Sequence, residues 1–446
     1  MRYNRSLFIL AHQIGDREFC PAYKKLLQSQ WKPYHEQRKN QENQLRHMID
    51  FVYKNVPYYN KIFKELHLQP SDISTIKDLE KLPIITKKII KDNWEDIKPF
   101  NLKNMKYYID STGGSTGTPF QYRLLKFDRF LSGAVLYRGW GYAGYELGDR
   151  MVFLAGSSLD VGSKSFLIKK AHEISRNLRK MSSFEMGTSD LQKYINIVNS
   201  FKPKYLRGYP SSINFFADYI SKNGTNIVHP KAIFTTSEKL LPNMREKIER
   251  TFDCEVYDGY GLNDGGVSAF ECSRHNGLHV DTERSIMEVV DDTGAQIEDG
   301  IGRILATSLH NYAMPFIRYD TGDMGHIVED FCSCGRGSRL LKEVIGRSVD
   351  ILRTPEGKSV HGWFLLYIFW EYGKGIKEYQ VIQEKLDKLV IKIVPEDGFD
   401  GKQLEIIREI INKKSKGWKV EFKFVTEIKK TNAGKYKFII SELEQK

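Results

Sequence analysis

The sequence predicts an α/β fold: a large N-terminal unit built on a mostly parallel sheet with antiparallel elements, then a small α+β C-terminal unit. Three observations predict it. Between residues 149 and 262 short apolar runs alternate with amphipathic helical stretches, the pattern of repeated strand–helix units that build a parallel sheet. From 284 to 330, extended runs separated by turn-rich sequence read as antiparallel. From Gly346 to the end, helical and strand-like segments fill the length of one more small domain. At 446 residues the chain exceeds what one hydrophobic core supports, so two or three domains are expected.

Taken in order, residues 1–100 read as a polar helical collar. Within it Leu45, Met48, Ile49, Phe51 and Val52 fall close to a helical stripe. The first 30 or so residues read as part of this collar, or as a loosely attached helix that meets a partner. Residues 101–283 form the core. Strands are expected at Met151–Ala155, Lys204–Leu206, Ala232–Thr236 and Glu255–Tyr257, and helices at Leu191–Ser200, Ser211–Ser221 and Pro242–Phe252. The strands end in Gly156-Ser157-Ser158, Arg207-Gly208-Tyr209-Pro210, Ser237-Glu238 and Asp258-Gly259-Tyr260-Gly261. Ligands of open α/β sheets bind beyond the carboxyl ends of the strands, so these four ends are expected to face one cleft. Residues 284–345 form the antiparallel segment and close the N-terminal unit, 1–345. The C-terminal unit, 346–446, is expected to hold helices near Gly362–Trp370 and Gly401–Lys413, with strands at Tyr379–Gln383, Leu389–Val394 and Val420–Phe424.

With 41% hydrophobic and 12% aromatic residues the composition is globular. A net charge of +12 favours an anionic partner, but the lysines and arginines are dispersed and form no sustained basic tract. No basic helix or RNP-type aromatic motif supports nucleic-acid binding. No apolar run approaches the ~20 residues of a membrane span, and Leu7–Ala11 is too short for a signal-peptide core, so a cytoplasmic protein is expected. Five cysteines in this length do not make a disulfide scaffold. Cys272-x-x-His275 and Cys332-x-Cys334 instead supply four soft or borderline ligands on turn-like segments, which fits a closed structural Zn²⁺ site. His279 competes for the nitrogen position; the tight spacing to Cys272 favours His275.

The densest functional signal is Ser111–Pro119, STGGSTGTP. Its glycines let successive N–H groups point into one concavity and its hydroxyls add donors, which together make an anion-binding nest. It lacks the Lys-Ser/Thr ending of a P-loop. Downstream stand Asp258–Asp264 (DGYGLND), Arg318–Asp323 (RYDTGD), Gly346–Asp350 (GRSVD) and Ala433-Gly434-Lys435.

These five motifs in this order resemble the adenylate-forming acyl ligases, in the phenylacetate–coenzyme A ligase-like branch, and more closely its members that accompany capsular-polysaccharide synthesis. The resemblance runs from about Gln37 to the C-terminus and includes NVPYYNKIF, LEKLPIITK and GLHV. It implies that a carboxylate attacks the ATP α-phosphate, leaving an acyl-adenylate. It also implies that residues 101–283 bind nucleotide and that 346–446 is a mobile lid. Ser111, Thr112, Gly113, Gly114, Ser115, Thr116 and Gly117 would hold the departing phosphates. Ser237, Glu238, Asp258, Gly259, Tyr260 and Gly261 would surround the nucleotide, with Tyr260 on adenine. Asp323 would accept both ribose hydroxyls, Arg347 would contact nucleotide, and Asp350 would be the hinge. Lys435 would bridge the α-phosphate and the carboxylate as the catalytic lysine. Asp264 stands where the family usually has glutamate for Mg²⁺; a carboxylate one methylene shorter makes a bridging water the expected link. Tyr137, Trp140 and Tyr209 are candidate walls of the acid pocket. The acceptor is expected to be coenzyme A, with an amine or hydroxyl of a sugar as the alternative.

Overall fold

The computed structural model describes residues 2–112, 120–155, 166–182, 188–347, 351–356, 359–361, 365, 368–369, 372–396, 399, 401–429 and 437–443. The chain begins with four helices, α1 (Arg2–Gly15), α2 (Phe19–Ser29), α3 (Tyr34–Asn55) and α4 (Pro57–Glu65). Of the apolar stripe expected on α3, Leu45, Met48, Ile49 and Val52 are buried and Phe51 is half-buried, and the buried face extends N-terminally through Gln37 and Gln41. Phe8, Phe19 and Leu26 are also buried, in one cluster with Trp140 and Tyr205. The N-terminal helices are therefore built into the core and are not a loose appendage. A short helix α5 (Lys87–Asp92) leads to the hairpin β1 (Tyr107–Ser111) and β2 (Gln121–Leu125), and then to α6 (Lys126–Gly141).

The parallel sheet contains β3 (Met151–Ala155), β4 (Leu178–Ser182), β5 (Tyr205–Gly208), β6 (Ala232–Thr235) and β7 (Glu255–Tyr257). They lie in the order β4-β3-β5-β6-β7, every pair parallel. Helices α7 (Phe166–Ser175), α8 (Thr188–Phe201), α9 (Pro210–Asn223) and α10 (Pro242–Phe252) connect them. Both α9 and α10 start with proline at the first turn and end on a left-handed residue, Gly224 and Asp253, where a helix stops readily. Because β4 lies on one side of β3 and β5 on the other, the strand order reverses between β3 and β5. That is the position where such sheets open a crevice.

After β7 the chain enters a second sheet, entirely antiparallel: β8 (Gly259–Gly261), β9 (Ser268–Glu271), β10 (Leu278–Val280), β11 (Ser285–Val290), β12 (Gly300–Ser308), β13 (Tyr319–Val328) and β14 (Leu340–Arg347). Their order is β11-β12-β13-β14-β10-β9-β8. The antiparallel region thus begins at 259, earlier than the sequence pattern indicated. The pair β15 (Ile351–Arg353) and β16 (Ser359–His361) precedes the last sheet. That sheet contains β17 (Ile376–Lys385), β18 (Lys388–Pro395), β19 (Lys419–Phe424) and β20 (Ile439–Ser441), ordered β19-β18-β17-β20 and covered by α11 (Lys402–Lys414). Of the helix expected near Gly362–Trp370, Leu365, Ile368 and Phe369 are described, and they are helical and buried. Among the described residues no helix is long and apolar enough to cross a membrane.

A buried arginine, ion-paired within the second sheet, ties the collar to that sheet. Arg318, in a left-handed conformation at φ 51°, donates from Nε to Glu288 Oε1 at 3.1 Å. Its other nitrogens reach the carbonyls of Leu82 and Gly294 at 3.1 and 2.6 Å. Removing one partner would leave a buried charge uncompensated. Arg318→Met is expected to lower stability by about 3–5 kcal/mol in urea denaturation; an unchanged midpoint would show that this tether is not needed.

Candidate active site

The site is built where the chain changes sheets. Tyr257 ends the parallel sheet, Gly259 begins the antiparallel one, and Asp258 alone lies between them. The Asp258 N–H donates to Glu271 Oε2 at 2.7 Å, and its carbonyl accepts the Glu271 N–H at 3.0 Å. The Thr235 hydroxyl at the end of β6 donates to Asp258 Oδ1 at 2.6 Å. Glu271 is itself gripped by both oxygens, at 3.0 and 2.8 Å from Arg245 Nη2, with His275 Nδ1 at 3.1 Å. Burial pushes the Glu271 carboxyl up, but His275 and Arg245 outweigh it and hold it below its usual range. Burial also raises Asp258, offset only in part by Thr235.

Beside this crossing is a cavity of about 310 Å³. Trp140 and Gly139 of α6, Arg207 of β5, Phe234 of β6 and Phe270 of β9 line its inner part, and Ser237 and residues 258–263 its outer part. Ser237 sits at φ 69°, a conformation that non-glycine residues adopt at a cost and that recurs at binding sites. Tyr260 donates its hydroxyl to Asp323 Oδ2 at 2.9 Å, which links β8 to β13. Burial, then the Asp323 charge, raises the Tyr260 hydroxyl far above its ordinary value, so it stays a donor. Leu262 is held from behind by Arg284, whose guanidinium reaches the Leu262 carbonyl at 3.3 Å and pairs with buried Asp128 at 2.8 Å. The Ser132 hydroxyl donates to Asn263 Oδ1 at 3.1 Å.

Asp264 is buried. The Tyr319 hydroxyl donates to its Oδ2 at 2.8 Å, and Lys87 Nζ stands 3.8 Å from the same oxygen. Gly265 follows at φ 102°, where a Cβ would come within 2.7 Å of Ala306 Cβ, so only glycine fits this turn. Next to Tyr319 lies Phe120, their ring centres 6.3 Å apart. Phe120 closes the base of the β1–β2 hairpin by accepting the Thr112 N–H at 2.9 Å. Ser111 pairs with Gln121 across that hairpin, so the described residues on either side of the glycine-rich stretch are held side by side. Gly113, Gly114, Ser115, Thr116 and Gly117 lie outside the described residues, as do Asp350, Lys435 and the side chain of Arg347.

A second cluster lies just beyond Glu271. The ligand atoms of Cys272, His279, Cys332 and Cys334 are all within 4.8 Å of one another. Cys272 Sγ is 3.7 Å from Cys332 Sγ, and His279 Nε2 is 3.4 Å from both Cys272 Sγ and Cys334 Sγ. A sulfur separation of 3.7 Å is far beyond the ~2.05 Å of a disulfide, so these thiols are unbridged. His279 Nδ1 faces the Ser338 hydroxyl at 3.3 Å, which orients the ring. His275, favoured from its spacing, is not in the cluster. The turn after Cys272 sends it to Glu271 and the Tyr257 ring, whereas the β9–β10 register sets His279 opposite Phe270 and returns it to Cys272.

A family model of the CapK C-terminal domain matches residues 352–442. Over 415 residues the chain is 25% identical to Protein CapK of Staphylococcus aureus, covering 91% of this chain and 89% of that one. Over 388 residues it is 24% identical to a phenylacetate-coenzyme A ligase of Thermus thermophilus, covering 82% and 83%. Its fold superposes on that of a 2-hydroxyisobutyryl-CoA ligase in the postadenylation state with a TM-score of 0.74, at 18% identity and covering 93% and 91% of the two chains. The chain is an adenylate-forming acyl ligase. Within that superfamily it belongs to the phenylacetate–coenzyme A ligase-like branch, alongside CapK.

Within this ligase, Ser237, Asp258, Gly259, Tyr260 and Gly261 share the cavity wall, and Asp323 is bonded to Tyr260. Glu238 does not line it: its Oε2 accepts the Ser211 N–H in the first turn of α9 at 3.1 Å. Of the three aromatic walls expected, only Trp140 lines the cavity. Tyr137 points from α6 toward the N-terminal helices, stacked edge-on to Phe8, His12 and Phe19, and Tyr209 is fully buried at the start of α9. A helix has two faces, and sequence alone could not tell which one α6 turns to the cavity. Sequence reasoning quoted the stretches that hold Lys87, Tyr319 and Arg207 without giving these residues a task, and passed over Arg284, because contacts between distant segments carry no local signal.

Gly139 marks the tightest contact of the inner cavity: a Cβ there would lie 2.3–2.6 Å from atoms of the Phe270 ring. Gly139→Ala is therefore expected to force α6 and β9 apart, lowering stability by about 1–3 kcal/mol in a thermal or urea melt. Wild-type stability in this variant would show that the contact yields freely.

Proposed function

We propose that this ligase activates a carboxylic acid with ATP as an acyl-adenylate and passes the acyl group to coenzyme A. In the first step a carboxylate oxygen bonds to the α-phosphorus and pyrophosphate leaves. In the second the coenzyme A sulfur bonds to the acyl carbon, its proton is lost, and AMP leaves. The observation that carries this reading is the cavity where the two sheets meet, walled by Ser237 and residues 258–263, with Tyr260 bonded to Asp323 and buried Asp264 just after that wall in the chain.

Ser111–Gly117 would donate N–H and hydroxyl groups to the phosphates. Tyr260, fixed by its bond to Asp323, would cover the adenine, and Asp323 would take the ribose hydroxyls. Asp264 would hold Mg²⁺, whose chemistry is to neutralise the phosphate charge; Tyr319 and Lys87 set the orientation of this carboxylate. Lys435 would place a positive charge where the transition state gathers negative charge. The unit from 346 onward would turn about Asp350 so that Lys435 serves only the first step.

Cys272, His279, Cys332 and Cys334 would hold a structural Zn²⁺. Tetrahedral Zn²⁺ with bonds of ~2.3 Å to sulfur and ~2.0 Å to nitrogen needs ligand atoms about 3.5–3.8 Å apart, close to the 3.7 and 3.4 Å present. Such a clamp would fix β9 and β10 directly behind Glu271. Purified protein is expected to contain one zinc per chain. Cys332→Ser should lose it and melt at least ~5 °C lower; a metal-free protein of full stability would remove the site.

The adenylation reading is tested by pyrophosphate release from ATP and Mg²⁺ across a panel of organic acids, with and without coenzyme A. Turnover that requires both an acid and coenzyme A is expected. Lys435→Ala should slow adenylation at least ~100-fold with folding intact. Silence across the panel would overturn the reading, and acid-dependent release indifferent to coenzyme A would redirect the second step to another acceptor.

A further inference from the structure

Arg207 is the charged residue that the adenylation reading leaves without a task. It lies on β5, in register with Phe153 on β3, at the point where the strand order of the parallel sheet reverses. Its side chain lines the inner cavity, with Cζ 5.0 Å from the Trp140 ring centre and 5.3 Å from that of Phe153. Among the described residues no carboxylate or carbonyl accepts a hydrogen bond from it. Burial pulls its guanidinium down to about 10, with only Tyr137 and Tyr209 opposing, so it is still charged at neutral pH. The residue is half-buried, and an arginine drawn back from water among apolar rings is favoured by an anionic partner for its five donors and its charge. The two acidic residues that share the cavity wall are committed elsewhere: Asp258 to Thr235, and Glu271 to Arg245 and His275. Aromatic rings surround the guanidinium, and they stack on it without neutralising it.

The position of Arg207 also says which end of a bound acid it meets. The cavity wall runs strand by strand from Arg207 on β5, past Phe234 and Thr235 on β6, to Asp258 after β7 and Tyr260 on β8. At about 4.8 Å per strand, the Arg207 backbone stands two strands, roughly 10 Å, from β7. A carboxylate activated beside the nucleotide at the Tyr260 end thus leaves Arg207 at the other end of the wall, facing a second group on the same small molecule. We propose that the acid is a dicarboxylate: one carboxylate is adenylated at the Tyr260 end, and the other pairs with the Arg207 fork between Trp140 and Phe153. The proposal rests on the adenylation reading and names its substrate class. Bidentate pairing with arginine makes the second carboxylate a selectivity element as well as a handle.

The test compares matched acids: glutarate against pentanoate, adipate against hexanoate, terephthalate against benzoate. Pyrophosphate release is measured for the wild type, Arg207→Met and Arg207→Lys. The wild type is expected to favour the diacid of at least one pair by ~30-fold or more in kcat/KM, the scale of a desolvated charge pair. Arg207→Met should erase that ratio chiefly through KM, and Arg207→Lys, which keeps charge without the fork, should retain part of it. A wild type that prefers the monoacids, or a ratio unmoved in Arg207→Met, overturns the proposal while the adenylation reading stands. If no acid is turned over, the adenylation reading falls instead, and calorimetric binding of the diacids to wild type and Arg207→Met decides the role of Arg207. Stability gives a separate check. Without ligand, Arg207→Met removes a half-buried charge that has no acidic partner among the described residues, and is expected to melt no lower than the wild type. A marked drop would assign Arg207 to an internal pair and overturn the proposal.

Discussion

Everything at this site depends on a carboxylate that is not itself in the chemistry. Glu271 accepts the N–H of Asp258, donates its own N–H back to the Asp258 carbonyl, and is held by Arg245 and His275. Two sheets of different type meet at that single residue, and neither sheet's ladder can satisfy the backbone where the chain leaves one for the other. A buried N–H with no acceptor would cost on the order of 1–3 kcal/mol. Glu271 supplies the acceptor, and its own burial is offset by a guanidinium and an imidazole on the far side. The Cys/His cluster begins at the very next residue, Cys272, so one short strand carries the cavity wall and the junction and leads straight into that cluster.

That junction determines how the cavity is divided. The parallel sheet contributes an apolar inner end at its reversal point, under Trp140 and Phe234. The antiparallel sheet contributes hydrogen-bonding groups at the outer end, with Tyr260 and Asp323 facing each other across β8 and β13. An acid bound here has its reacting group among fixed dipoles and its remainder among aromatic rings, which suits activation of a carboxylate while the rest of the molecule is read for shape and charge.

Local patterns were read correctly where the physics is local. Met151–Ala155, Pro242–Phe252 and Glu255–Tyr257 lie where periodicity and proline placed them, because a period of 2 or 3.6 and an N-terminal proline act within a few residues. The strand β4 escaped notice because it is an edge strand that carries Arg179 and Lys180, a means of discouraging edge pairing that also erases the apolar signal. The three residues of β20 find their partner β17 more than fifty positions upstream, and no local pattern announces that.

By itself the sequence determined the alternation of strands and helices, the order of the motifs and three of the four residues of the Cys/His cluster. These are properties of neighbours along the chain. Only the tertiary structure decided that His279 and not His275 joins the cysteines, that Trp140 faces the cavity while Tyr137 and Tyr209 do not, and that Arg207 stands between the Trp140 and Phe153 rings. Each of those outcomes turns on which face of a strand or helix meets another element, and that choice is made by the packing of distant segments.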